Sequence, residues 1–158
     1  MKRRSALALT IAAVSSLAIA AAIAAATPPA GVTPVTHVAG ATLPDDVKVN
    51  ADKIKFRTKA PTDVSVLTLT IEPGGTTGWH SHPGLAVIAV TEGTGTLYFS
   101  DCSSKTFAAG QAFVENGDDR PTVFRNETSL PVVVTVTFVA PKGAAIIRDE
   151  ANPACQVS

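Results

Sequence analysis

Apolar and polar residues alternate with a period of two along much of the chain. In residues 64–71, VSVLTLTI, Leu67, Leu69 and Ile71 fall on one face and Val66, Thr68 and Thr70 on the other. In residues 132–139, VVVTVTFV, Val134, Val136 and Phe138 alternate with Val133, Thr135 and Thr137. A period of two with many β-branched residues predicts strands rather than helices. The same reasoning predicts strands at 54–58, 86–92, 96–100, 112–115 and 122–126. Turn-forming stretches, PGG, EGTG, AAG, NGDDRP and ETSLP, separate them. No amphipathic helix is predicted after the first 26 residues. Short strands at regular spacing with glycine turns predict a single all-β domain, a sandwich or barrel.

The N-terminus reads differently. Lys2, Arg3 and Arg4 precede an uncharged, alanine-rich apolar run that ends near Ala24 and Ala26, small residues suited to cleavage. Residues 1–26 therefore read as a secretory signal peptide, which predicts a secreted or periplasmic (cell-envelope) protein. The run is long enough that an uncleaved single-span anchor stays open, but its alanine content favours cleavage. Residues 27–45 read as a linker, TPPAG, and an N-terminal segment; 46–158 read as the barrel with its C-terminal tail. Removing the first 26 residues leaves 10 Lys and Arg against 13 Asp and Glu, a net charge of −3. With no basic patch interleaved with aromatics, nucleic acid is not an expected partner, nor is a membrane after cleavage. Cys102 and Cys155 are the only cysteines. An even count in an exported chain favours a disulfide over two free, buried thiols. Closing the loop of about 50 residues between them contributes about 4 kcal/mol in the chain-entropy picture.

The candidate chemistry lies in residues 74–84, GGTTGWHSHPG. Two of the three histidines, His80 and His82, stand two apart beside the only tryptophan, Trp79. On a strand both imidazoles face one side, with Ser81 on the other, and such a pair can share a metal ion. The alternative is a pair of hydrogen-bonding histidines at a barrel mouth. Trp79 is a candidate pocket wall, or equally a cap on the barrel. His37 reads as an ordinary surface histidine. Arg120 and Arg125 are candidates to meet an acidic ligand, or else surface charges. Asn126-Glu127-Thr128 matches a glycosylation acceptor pattern that also arises by chance.

From Val64 to Pro141 the sequence resembles the cupin superfamily, small barrels of jelly-roll type. Gly74, five residues and His-Ser-His match the start of that family's first motif, and Gly93 stands where it closes. Gly110, Gly117 and Asn126 match the frame of the second. GWHSHPG, GQAFVE, RNE and the two cysteines are similar to small exported bacterial single-domain cupins of the type-2 kind. The resemblance implies a metal held by three histidines and a glutamate. Here the glutamate position falls on Ala86 (or Val87) and the third histidine position on Thr122. The resemblance thus implies a vacated site, with a divalent ion (Zn, Mn, Fe or Ni) weakly held. A carboxylate from Asp118, Asp119, Glu92 or Glu115 would complete a 2-His-1-carboxylate set; Asp118 and Asp119 are nearest in sequence to the vacated position. Two function classes follow. One is a module that binds a small-molecule ligand or a weakly held metal around His80 and His82. The other is a metal-dependent enzyme of oxygenase or isomerase class. A homodimer is compatible with the resemblance.

Overall fold

The computed structural model describes residues 26–117 and 120–157. Twelve strands run in chain order: β1 (Ala30–Leu43), β2 (Lys48–Ala51), β3 (Ile54–Arg57), β4 (Thr62–Thr76), β5 (His80–Ser81), β6 (Leu85–Glu92), β7 (Thr94–Phe99), β8 (Ser104–Ala108), β9 (Ala112–Asn116), β10 (Thr122–Arg125), β11 (Val132–Pro141) and β12 (Arg148–Asp149). All but β2 and β3 join one antiparallel sheet that curls into an all-β jelly-roll barrel. One wall is β1-β4-β11-β6-β9 and the other is β12-β5-β10-β7-β8. The long strand β4 links them. Its first part pairs with β1 and β11, and beyond Gly74 and Gly75 its Thr76 pairs with Arg125 of β10. Gly74 carries that bend at φ 75°, a conformation that costs glycine little.

The period of two decides which residues fill the barrel. In β11, Val132, Val134, Val136 and Phe138 are buried, and in β6, Ala86, Ile88 and Val90. With Ile71, Leu97, Phe107, Phe113 and Phe124 they form one core, each large side chain contributing about 1.5–3 kcal/mol by leaving water. Leu67 and Leu69 share the inner face of β4 and pack against this core, but are only half-buried because they also border a cavity.

Residues 30–43 form β1, laid antiparallel along β4. The pattern misses it because β1 is exposed at nearly every position, so no apolar face is imprinted on its sequence. Pro34 fits there, since an edge strand has an unpaired side that needs no donor. Cys102 and Cys155 are bonded, with Cα atoms 5.3 Å apart, tying the tail to the turn after β7. Asn126 is fully buried. Its amide donates to the carbonyls of Ile71 and Leu130, and its oxygen accepts from Thr128; this is a structural corner with no room for a glycan. The expected signal peptide lies, but for Ala26, outside the described residues.

Candidate metal centre

The two histidines are placed by a very short strand. β5 lies between β12, which pairs Asp149 with His80 and Arg148 with Ser81, and β10, which pairs Thr122 with His80. The ladder turns His80 inward and Ser81 outward, where its hydroxyl donates to Glu150 at 2.7 Å. His80 and His82 are both buried, with their rings edge to face at 4.8 Å.

Each imidazole is fixed by the backbone. His80 Nδ1 lies 2.8 Å from the Gly78 carbonyl, and His82 Nδ1 lies 2.7 Å from the Ile146 carbonyl. A carbonyl only accepts, so both Nδ1 atoms carry the proton. In the neutral rings both Nε2 atoms are then bare lone pairs, and such an outer hydrogen bond is what orients metal-bound histidines.

Both lone pairs converge on Glu115. Its Oε2 is 3.1 Å from His82 Nε2 and 3.8 Å from His80 Nε2. Its Oε1 accepts from the Thr122 hydroxyl at 2.7 Å. Burial alone would raise the Glu115 pKa. The hydrogen bonds and charges of His80 and His82 outweigh it and hold the carboxyl well below the usual carboxylate range. For His80, burial opposes the charged form, but the hydrogen bond and charge of Glu115 prevail and raise its pKa. An ionised carboxylate and two imidazole lone pairs cannot face one another bare. They need a cation between them, either a proton or a metal ion.

The donor set fits a metal ion. The three donor atoms lie within 4.8 Å of one another and all three residues are buried. Ligands at about 2.0–2.2 Å from one ion stand roughly 3–3.5 Å apart, so only small side-chain movements close the set. Two imidazoles and a carboxylate suit Zn²⁺ in open, three-ligand sites and Fe²⁺ in the 2-His-1-carboxylate arrangement.

By sequence proximity Asp118 and Asp119 read as the nearest source of the carboxylate, or else as solvated loop charges. The structure brings Glu115, another of the four candidate carboxylates, to the histidines; Asp118 and Asp119 lie outside the described residues. Glu92 is exposed at the far end of β6. The reason for Glu115 is the strand register. Glu115 stands directly across from Ala86 in the β6–β9 ladder, the position at which the resemblance implies a glutamate. A signal was present: Phe113, an obvious core residue, is two before Glu115 and so shares its face. Thr122, at which the resemblance implies a third histidine, donates its hydroxyl proton to that carboxylate. Trp79, a candidate pocket wall, does not line the cavity. It precedes His80 and so points the other way, where it packs with Val123 and Cys155. His37 is exposed and bonds Thr68.

The centre opens into a cavity of about 460 Å³ inside the barrel. Leu67, Leu69, Phe113, Phe124, Val134 and Phe138 supply apolar wall, and Pro34, Ile147 and Asp149 also border it. Among the described residues no Lys or Arg lines it, and neither Arg120 nor Arg125 reaches it.

A cupin-domain family model matches residues 67–138. Solved structures agree in fold. The polyketide cyclase RemF from Streptomyces resistomycificus is 18% identical, covering 80% of this chain and 79% of its own, with a TM-score of 0.55. A cupin-2 domain from Rhodospirillum rubrum is 14% identical, covering 78% and 67%, also with a TM-score of 0.55. A double-stranded β-helix protein from Klebsiella pneumoniae is 19% identical, covering 55% and 74%, with a TM-score of 0.49. None of the curated proteins matches the chain.

Proposed function

The chain belongs to the cupin superfamily, and from that premise we propose that it is a metal-dependent cupin enzyme acting on a small, uncharged, largely apolar molecule. The observation that carries this reading is the convergence of the His80 and His82 Nε2 atoms on the Glu115 carboxylate at the wall of the cavity. Three protein donors leave coordination positions open, the arrangement of catalytic rather than structural sites. An ion held there supplies Lewis-acid polarisation of a substrate oxygen. The chain's own residues do the rest. Gly78 and Ile146 orient the imidazoles, Thr122 turns one carboxylate oxygen away from the ion position, and the aromatic walls exclude water. The charge of a divalent ion would be offset by Glu115 and Asp149, and among the described residues no Lys or Arg lines the cavity, so the loaded site would carry no net positive charge to favour a carboxylate or phosphate substrate over an uncharged one. The Cys102–Cys155 bridge supports a site of action outside the cytoplasm.

Two measurements test this. Zn²⁺ calorimetry on the purified, untagged chain should show one ion per chain; no saturable binding would remove the metal reading. In the zinc-loaded protein, naphthol should bind at least about tenfold more tightly than naphthoate, a difference of roughly 1.4 kcal/mol. Equal or tighter binding of naphthoate would overturn the substrate class and leave the metal reading intact.

A further inference from the structure

Charge is unevenly distributed. Residues 48–59, KVNADKIKFRTK, carry five Lys and Arg against the single Asp52, a net +4. Residues 60–158 carry five against ten, a net −5. The basic stretch contains the β2–β3 hairpin, which forms a two-stranded sheet of its own, separate from the barrel sheet. Asp52 and Lys53, at φ 47° and 73°, make its tight turn. Thr58 closes its base through two bonds to Val47.

The register sorts the hairpin into two faces. Residues opposite each other in a ladder share a face. Val49 pairs with Phe56 and Ala51 with Ile54, giving four apolar side chains on one side. Lys48 pairs with Arg57 and Asn50 with Lys55, giving three cations on the other. Ile54 is 68% exposed and Val49 46%. Among the described residues none of the hairpin's cations makes a salt bridge. A cleft of about 530 Å³ between hairpin and barrel is lined by Lys55, Arg57 and Lys59, with Leu85 and Pro83, and by no acidic residue.

We propose that this hairpin is a docking ribbon for an anionic phospholipid surface. A soluble polyanion would satisfy the cations and leave Val49 and Ile54 in water. A bilayer satisfies both faces: the apolar side enters the boundary of the acyl region while the Lys and Arg stems reach back to phosphate. The acidic remainder of the chain is repelled by the same surface, which turns the hairpin toward it. This peripheral contact departs from the sequence expectation of no membrane partner, and it is independent of the metal centre.

The full chain and its variants, all with the same N-terminus, are co-sedimented with two kinds of vesicle. One is phosphatidylcholine alone and the other an equal mixture with phosphatidylglycerol. A variant combining Lys53→Ser, Lys55→Ser, Arg57→Ser and Ile54→Ser sets the baseline for any binding by the apolar N-terminus. Above that baseline the unmodified chain should bind the mixed vesicles and not the neutral ones. The three cation changes alone should weaken binding roughly fivefold per charge removed. Ile54→Ser alone should weaken vesicle binding severalfold and leave retention on heparin unchanged. Equal binding to both vesicle types, or binding indifferent to these changes, overturns the proposal. Retention on heparin without vesicle binding also overturns it and assigns the hairpin to a soluble polyanion.

Discussion

The two halves of the candidate metal centre are held by different means. His80 and His82 are oriented by backbone: two carbonyls take their Nδ1 protons, and β5 is clamped between β10 and β12. Glu115 is oriented by one side chain, the Thr122 hydroxyl, and it stands on β9, an edge strand of the barrel sheet. Backbone carbonyls survive nearly every substitution, so the histidine half is robust to local side-chain change and sensitive to the folding of the tail that carries Ile146. The carboxylate half reverses this. It tolerates change in the tail and depends on a single hydroxyl.

The largest expected effect attacks the support of the histidine half. Cys102→Ser frees the tail that carries Ile146 and β12. Removal of a native disulfide from a small domain costs about 2–5 kcal/mol, so the denaturant midpoint should fall accordingly. Metal affinity should fall with it. An unchanged midpoint would show that the tail holds without the bridge.

Thr122→Val attacks the other half. It leaves Glu115 Oε1 without its donor, and metal affinity should drop about tenfold, as for other outer partners of metal ligands. Thr122→Ser should restore most of it, while Cys102→Ser should leave the Thr122–Glu115 bond unaffected. Equal affinities for the Val and Ser forms would show that the hydroxyl does not orient the carboxylate.

The smallest effect is the pH profile of metal-stripped protein. Glu115 is held below its ordinary value near 4.5, so its contribution is present above that pH and is lost as pH falls toward the depressed value. His80 is raised above its ordinary value near 6.5, so its contribution is complete below that pH and is lost as pH rises through the raised value. Both are in force between about 4.5 and 6.5, where thermal stability in chelator should peak. Glu115→Gln should flatten the decline above that window. The same decline in the variant would contradict the pairing.

How much of this was legible in the sequence follows from the range of each interaction. β4, β6 and β11 show an alternating face because one side of each is buried. β1 shows none because it lies exposed on the barrel. His80 and His82 were visible because their relation is local, two residues on one strand. Glu115 is one of four carboxylates in view and not the favoured one, because its place opposite Ala86 is set by ladder register at a sequence separation of 29. Proximity in sequence to Thr122 pointed to Asp118 and Asp119. Trp79 reads as a pocket wall or a barrel cap because it adjoins the histidines, and adjacency on a strand places it on the opposite face, packed with Val123 and Cys155.

The central claim is that the carboxylate has been moved across the strand pair, from position 86 to position 115. Exchanging the two residues tests it most directly. Zn²⁺ calorimetry is run on the unmodified chain, on Glu115→Ala and on the double change Ala86→Glu with Glu115→Ala. Glu115→Ala should lose about a hundredfold or more in affinity, beyond what an outer partner contributes, and the exchange should recover to within about tenfold of the unmodified chain. Undiminished zinc affinity in Glu115→Ala would show that another group completes the site and would contradict the account.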